Sequence, residues 1–280
     1  MSSAPGNLAV SNIAWESEEE VAVAALLQEL AVHRVEIAPT KVFRDPLSAE
    51  DSEVEGYRRF WSDRGIDVVA FQSLLFGRPD LQLFGAEEVR KETAQHLAGF
   101  LRLAGRLRAS RLVFGSPKNR VAPKGMTAEE ADGIAIDFFR ELAEIALENG
   151  TRLCIEPNPV QYGCNWVVNA SEGISLVERV GHPGFGLHLD SAGMAMAGDD
   201  ISASIFGGRD VLSHFHVSAP QLGPIETSVV DHSSAAAALS GIRYAGTISI
   251  EMRSGGPGTN LDRVRSAVET TRSSYGLADA

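Results

Sequence analysis

The chain has 280 residues, 44% hydrophobic and 22% charged, which is ample for a sizeable core and fits one large barrel or two small domains. Its net charge of −12 is spread along the chain, against nucleic acid as the main partner, because phosphate binding needs a basic surface. No apolar run approaches the ~20 residues of a membrane span, "MSSAPGNLAV" lacks the marks of a signal peptide, and two cysteines in that context read as reduced thiols in a cytoplasmic protein.

In chain order, eight β-rich runs recur: "LAVSNIAW" (8–15), "RVEIAPT" (34–40), "DVVAFQSLLF" (67–76), "RLVFGSP" (111–117), "RLCIEPNP" (152–159), "FGLHLDSA" (185–192), "LSHFHVSAP" (212–220) and "TISIEM" (247–252). Helical periodicity fills most of the gaps. "SEEEVAVAALLQEL" opens with acids, which suit a helix N-terminus. "AEEVRKETAQHLAGFLRLAGRLRA" and "TAEEADGIAIDFFRELAEIALENG" are long and amphipathic, and the second stops at Asn-Gly, a C-terminal cap. Eight strands in strict alternation with helices predict a (β/α)8 TIM barrel rather than an open doubly wound sheet. No Gly-x-Gly-x-x-Gly follows the first run, so a dinucleotide site loses its main support. No linker divides the chain, which reads as one domain over 1–280; "RSGGPGTN" (253–260) is a loop, and 273–280 is a frayed tail.

The sixth run, "GLHLDSAG", has the rhythm of a buried strand, yet every second residue is ionisable, His188 and then Asp190. A bound cation or a salt bridge would each offset that burial. In a barrel, strand C-terminal ends face a common site. Four late strands end there in Glu156, Asp190, His216 and Glu251, separated by 34, 26 and 35 residues, about one strand–helix unit each. Three carboxylates gathered with one imidazole carry a charge of −3 and repel one another unless a divalent cation sits between them. The oxygen-rich set suits Mn²⁺ first, with Mg²⁺, Co²⁺ and Zn²⁺ open. His188 and His214 share strand faces with Asp190 and His216; each either supports the metal or touches substrate, or is a satisfied residue of the barrel interior.

These residues carry a resemblance. "SNIAWE", "VEIAPTK", "FQSLLFG", "FGSPKNR", "IEPNP", "HFHVS" and "SIEM" make the chain similar, over nearly its full length, to the xylose-isomerase-like TIM barrels of the sugar phosphate isomerase/epimerase family, which include ketose 3-epimerases, hydroxypyruvate isomerase and inosose dehydratase. The resemblance implies a metal on Glu156, Asp190, His216 and Glu251, and makes Glu156 and Glu251 the acid/base pair for proton transfer beside a carbonyl. Where ketose 3-epimerases have a histidine three residues after the ligand Asp, this chain has Gly193. Where they have an acid and an arginine after the ligand His, it has Ala219 and Leu222. The sugar-binding set is therefore incomplete, and the substrate does not carry over.

Such a site suits a metal-dependent isomerase or epimerase of a sugar or polyol working through an enediolate. The alternatives are a metal-dependent lyase or dehydratase and a non-catalytic sugar-binding barrel. A DNA-repair endonuclease of this fold would want several zinc ions and a basic face. Lys118, Asn119 and Arg120 in "GSPKNR" form either a phosphate or carboxylate clamp or a solvated loop. Lys41, Glu36, Asn12, Gln72 and Asn158 are further lumen or substrate candidates, and Trp15, Phe43, Phe76 and Trp166 are candidate pocket walls. A homo-oligomer stays open.

Overall fold

A computed structural model describes residues 7–277. The absence of a signal, as far as it rests on residues 1–6, and the last residues of the expected tail, 278–280, lie outside the described residues.

Eight parallel strands close into a barrel in chain order: β1 (Leu8–Ser11), β2 (Arg34–Ile37), β3 (Asp67–Phe71), β4 (Arg111–Phe114), β5 (Arg152–Ile155), β6 (Phe185–Asp190), β7 (Leu212–Ser218) and β8 (Ile248–Glu251). β8 pairs with β1 and leaves no free edge. This is the (β/α)8 barrel that the alternation predicts. Each strand begins within one residue of its run, but most end earlier. After β1, for example, the Ser11 hydroxyl accepts from the Ile13 N–H, and Asn12–Ala14 turn into a 3₁₀ helix.

The long helices lie where the periodicity puts them, at Glu87–Leu107 and Ala128–Glu148. The second opens on a capping box: Thr127 Oγ1 accepts from the Glu130 N–H, and Glu130 Oε2 accepts from the Thr127 N–H. It ends at Asn149, and Gly150 takes the left-handed conformation (φ 68°) that lets the chain turn into β5. Of the expected frayed tail at 273–280, residues 273–275 are helical. The last helix, Asn260–Tyr275, holds the chain in place, with Tyr275 buried and hydrogen-bonded to His232 Nδ1 (3.0 Å).

Alternation along the strands divides the interior in two. Val35, Ile37, Leu187, Leu189, Phe215 and Val217 are buried and belong to the apolar core of the barrel wall and its helices. Their neighbours Glu36, His188, Asp190, His214 and His216 point into the lumen, where Glu36 of β2 meets β7 from across the barrel. Irregular pairing aims two of these strands. Leu187 pairs with Leu212 but His188 with His214, so β7 carries one extra residue, Ser213. Val35 pairs with Val68 but Glu36 with Ala70. Bulges of this kind re-aim side chains without breaking the sheet. Among the described residues no helix is long and apolar enough to cross a membrane, and Cys154 and Cys164 are both buried and unpaired.

Candidate metal centre

The four late-strand residues converge at one end of the lumen. Donor atoms of Glu156, Asp190 and His216 all lie within 4.8 Å of one another, and Glu251 Oε2 is 3.4 Å from His216 Nδ1. The cross-strand pair Asp190–His216 is adjacent in the sheet, and Ser218–Glu251 is its counterpart on the next strand pair. His216 is wholly buried, whereas the side chains of Glu156 and Glu251 keep 17% and 13% of their surface open. The two glutamates thus form the solvent side of the cluster.

Local structure fixes two of the three carboxylates. Asp190 also caps the helix Ser191–Ala197: its Oδ1 accepts from the Gly193 N–H (2.5 Å) and its Oδ2 from the Ser218 hydroxyl (2.5 Å). Glu156 lies across Gly115, where a Cβ would stand 2.1 Å from Glu156 Oε2, so only glycine leaves room for that carboxylate. Behind the cluster, Glu36 Oε2 receives His216 Nε2 (2.9 Å) and His214 Nε2 (3.1 Å).

The electrostatics are those of crowded acids. Burial, then the charges of Glu251 and Asp190, push Glu156 up to about 8. Burial, then Glu251, raises Asp190 to about 6. Burial opposes the charge on His216, but Glu36 and Glu251 hold it well above the usual imidazole range. Glu36 also resists burial as a charge, yet His216 and His214 keep it well below the carboxylate range. His188 is driven far down, by burial and then by His216 and His214, and stays neutral. Three carboxylates gathered about a buried imidazole whose Nδ1 has no hydrogen-bond partner are a donor set that fits one divalent cation.

Other expected site residues find different places. His188 and His214 are fully buried below the cluster and offer no surface to a substrate; His214 is bonded to Glu36, and His188 lies 3.8 Å from Glu156 with neither ring nitrogen hydrogen-bonded. Arg120 is no anion clamp. It is wholly buried and donates to the carbonyls of Gly115, Trp166, Val167 and Glu156. Asn119 is buried too and donates to the carbonyls of Arg78 and Leu81. Lys41 Nζ is taken up by the Trp15 carbonyl (2.5 Å). Asn158 donates to the Glu156 carbonyl (3.1 Å) and so braces that glutamate. Lys118 alone of the "GSPKNR" trio is exposed, with its chain beside Gly163 in the loop after β5.

Asn12 accepts from the Ala38 N–H and Gln72 donates to Ser11, both as buried braces. Trp15, Phe43 and Trp166 pack in aromatic clusters, while Phe76 is 74% exposed. Sequence reasoning missed Ser218, Gly115 and Tyr162. Tyr162 is near enough to Asp190, Glu251 and Glu156 for their charges to raise its pKa, after burial. A glycine directly after a strand signals close approach, so "FG" after β4 was a readable clue; nothing comparable marked Ser218 or Tyr162.

A family model described as xylose isomerase-like TIM barrel matches residues 24–274. The L-ribulose 3-epimerase of Methylomonas sp. (strain DH-1) is 28% identical over 127 residues, 45% of this chain and 44% of that protein, so the match spans less than half of the relative. Among solved structures, the D-psicose 3-epimerase with D-tagatose from Clostridium cellulolyticum H10 aligns with a TM-score of 0.78 at 18% identity, covering 96% of this chain and 99% of that one. The IOLI protein with a zinc atom bound aligns at 0.76 and 16%, covering 98% and 100%. At such identities these structures share the fold. The family match, running over nine-tenths of the sequence, shows more: this chain belongs to the xylose isomerase-like TIM barrel family.

Proposed function

We propose that the protein is a divalent-cation-dependent isomerase or epimerase of a sugar or sugar-like polyol, moving a proton at a carbon next to a carbonyl. The observation that carries this reading is the cluster of Glu156, Asp190, His216 and Glu251 at the mouth of the lumen, with the two glutamates on its open side. Epimerase activities named for the L-ribulose and D-psicose enzymes, and the zinc atom of the IOLI protein, support it by likeness.

Asp190 and His216 would hold the cation from the buried side, and Glu156 and Glu251 from the open side. Mn²⁺ suits this oxygen-rich set best. A divalent cation held there would supply the positive charge that makes loss of a proton next to a carbonyl less costly. Glu156 takes the proton from one face of the substrate and Glu251 returns one on the other, since they enter the site from separate strands, just after β5 and at the end of β8. Asn158 and Gly115 hold Glu156 in place for that exchange. Tyr162, which feels the charges of Asp190, Glu251 and Glu156, is a candidate for a substrate hydroxyl contact, and Lys118, whose chain lies beside Gly163 in the same loop, is a second.

The test is solvent-deuterium exchange into a panel of ketoses and polyols at saturating Mn²⁺. Wild type should exchange one carbon-bound proton without loss of water. Glu156→Gln and Glu251→Gln should each lose at least ~10²-fold of the rate, because glutamine keeps the shape but cannot shuttle a proton. A new unsaturated product would mark a lyase instead, and wild-type exchange rates in both variants would remove the glutamates from proton transfer.

A further inference from the structure

Glu36 has no place in the chemistry just described, yet it is one of the most constrained charges in the molecule. It leaves β2, crosses the lumen, and is wholly buried. Its Oε2 lies 2.9 Å from His216 Nε2 and 3.1 Å from His214 Nε2, while its Oε1 has no hydrogen-bond partner among the described residues. An ionised carboxylate can only accept, so both imidazoles present an Nε2–H to it. The two histidines sit two residues apart on β7, on the same face, so one oxygen reaches both.

That arrangement decides which nitrogen of His216 is left for other work. With the Nε2 proton committed to Glu36, a neutral His216 leaves an unprotonated Nδ1 toward Glu251 Oε2 at 3.4 Å, in the ring whose nitrogen clusters with the carboxylates of Glu156 and Asp190. We infer that Glu36 is a positioning residue of the cation site. By accepting the Nε2–H of His216 it selects the tautomer and ring orientation that offer Nδ1 to the ion, and His214 holds Glu36 in line. The inference rests on the cation reading of the site. Its physical basis is general: a carboxylate behind a ligating imidazole fixes the tautomer and makes the ring a stronger donor, and removing such a partner typically weakens metal binding 10–100-fold.

The same contacts have a plainer reading, in which Glu36 merely pairs two buried histidines, so the experiment must read the metal rather than the fold. Metal-free wild type, Glu36→Gln and Glu36→Leu are titrated with Mn²⁺ and with Co²⁺, following heat release and the visible Co²⁺ spectrum. Glutamine keeps an acceptor oxygen without the charge; leucine removes both. Binding should weaken by about 10-fold in Glu36→Gln and by roughly 100-fold in Glu36→Leu. Should the leucine variant fail to fold, the near-isosteric glutamine variant decides alone. An independent arm uses ¹⁵N-histidine-labelled, Zn²⁺-loaded wild type, in which His216 should carry its proton on Nε2. Equal affinities in wild type and Glu36→Gln, or a proton on Nδ1 of His216, overturn the assignment of Glu36. A wild type that takes up neither Mn²⁺ nor Co²⁺ overturns the cation reading itself and this inference with it.

Discussion

At the scale of single residues, the site is a set of side chains whose neighbours leave them little choice. Glu156 is crowded by Asp190 and Glu251, and its carboxyl is raised to about 8 from an ordinary 4.5; Asp190 is raised to about 6 from 3.8. Between the ordinary and the raised values these two carboxyls bind more protons in the native protein than in the unfolded chain, so their contribution to stability falls as pH rises through that window. The buried, neutral His188 and His214 work the other way below the usual imidazole range. The metal-free protein should therefore lose thermal stability above that range, from about pH 7 to 8, and Glu156→Gln, which cannot ionise there, should lose less. Melting curves of the two proteins side by side check this, and parallel losses would show that Glu156 is not strained by its neighbours. Gly115 makes a second point at this scale. A methyl group there would collide with Glu156 Oε2 but with no backbone atom among its closest neighbours. Gly115→Ala should thus remain folded by circular dichroism while binding Mn²⁺ at least ~10-fold more weakly, a loss of the size seen when the groups supporting metal ligands are removed.

At the scale of elements, strand ends and the loops just beyond them do the positioning. The extra residue Ser213 brings His188 opposite His214 and Asp190 opposite His216, so that two layers of ionisable groups stack in the lumen. Ser218, the last residue of β7, then clamps Asp190 from the neighbouring strand. The loop after β4 is bound to β5 by Arg120, whose guanidinium holds the carbonyls of Gly115 and Glu156 and those of Trp166 and Val167. Burying this cation is tolerable because these carbonyls satisfy it; hydrogen bonds to charged groups contribute ~1.5–3 kcal/mol each, and unsatisfied partners cost more. Arg120→Leu should destabilise the fold by at least ~2 kcal/mol in urea denaturation and also loosen Glu156. A loss near zero would mean that the loop is held by packing of Trp166 alone. These contacts explain why "GSPKNR", which reads equally as an anion clamp or a solvated loop, is neither at Asn119 and Arg120: the sequence carries no mark of whether such donors meet phosphate oxygens, water or the carbonyls of their own loops.

At the scale of the whole molecule, the barrel was legible because its signal is repeated eight times, each run starting within a residue of a strand. The spacing of Glu156, Asp190, His216 and Glu251 was legible for the same reason, since one strand–helix unit separates successive strand ends. The lumen beneath them was harder to read. Glu36 is 180 residues from His216, and whether a strand acid meets a histidine across the barrel depends on bulges that alternation does not reveal. Residues 273–275 of the expected tail are helical, and Tyr275 is anchored by His232, a contact 43 residues away in sequence that periodicity does not reveal. The central claim is that four strand ends together make one cation site, and it is tested most directly by metal stoichiometry. Wild type and Asp190→Ala are purified without chelators and titrated with Mn²⁺ in equilibrium dialysis, with circular dichroism as the check on folding. The account predicts one Mn²⁺ per wild-type chain and none held at the same free concentration by a folded Asp190→Ala. A wild type that binds no ion, or a variant that binds it equally well, would contradict it.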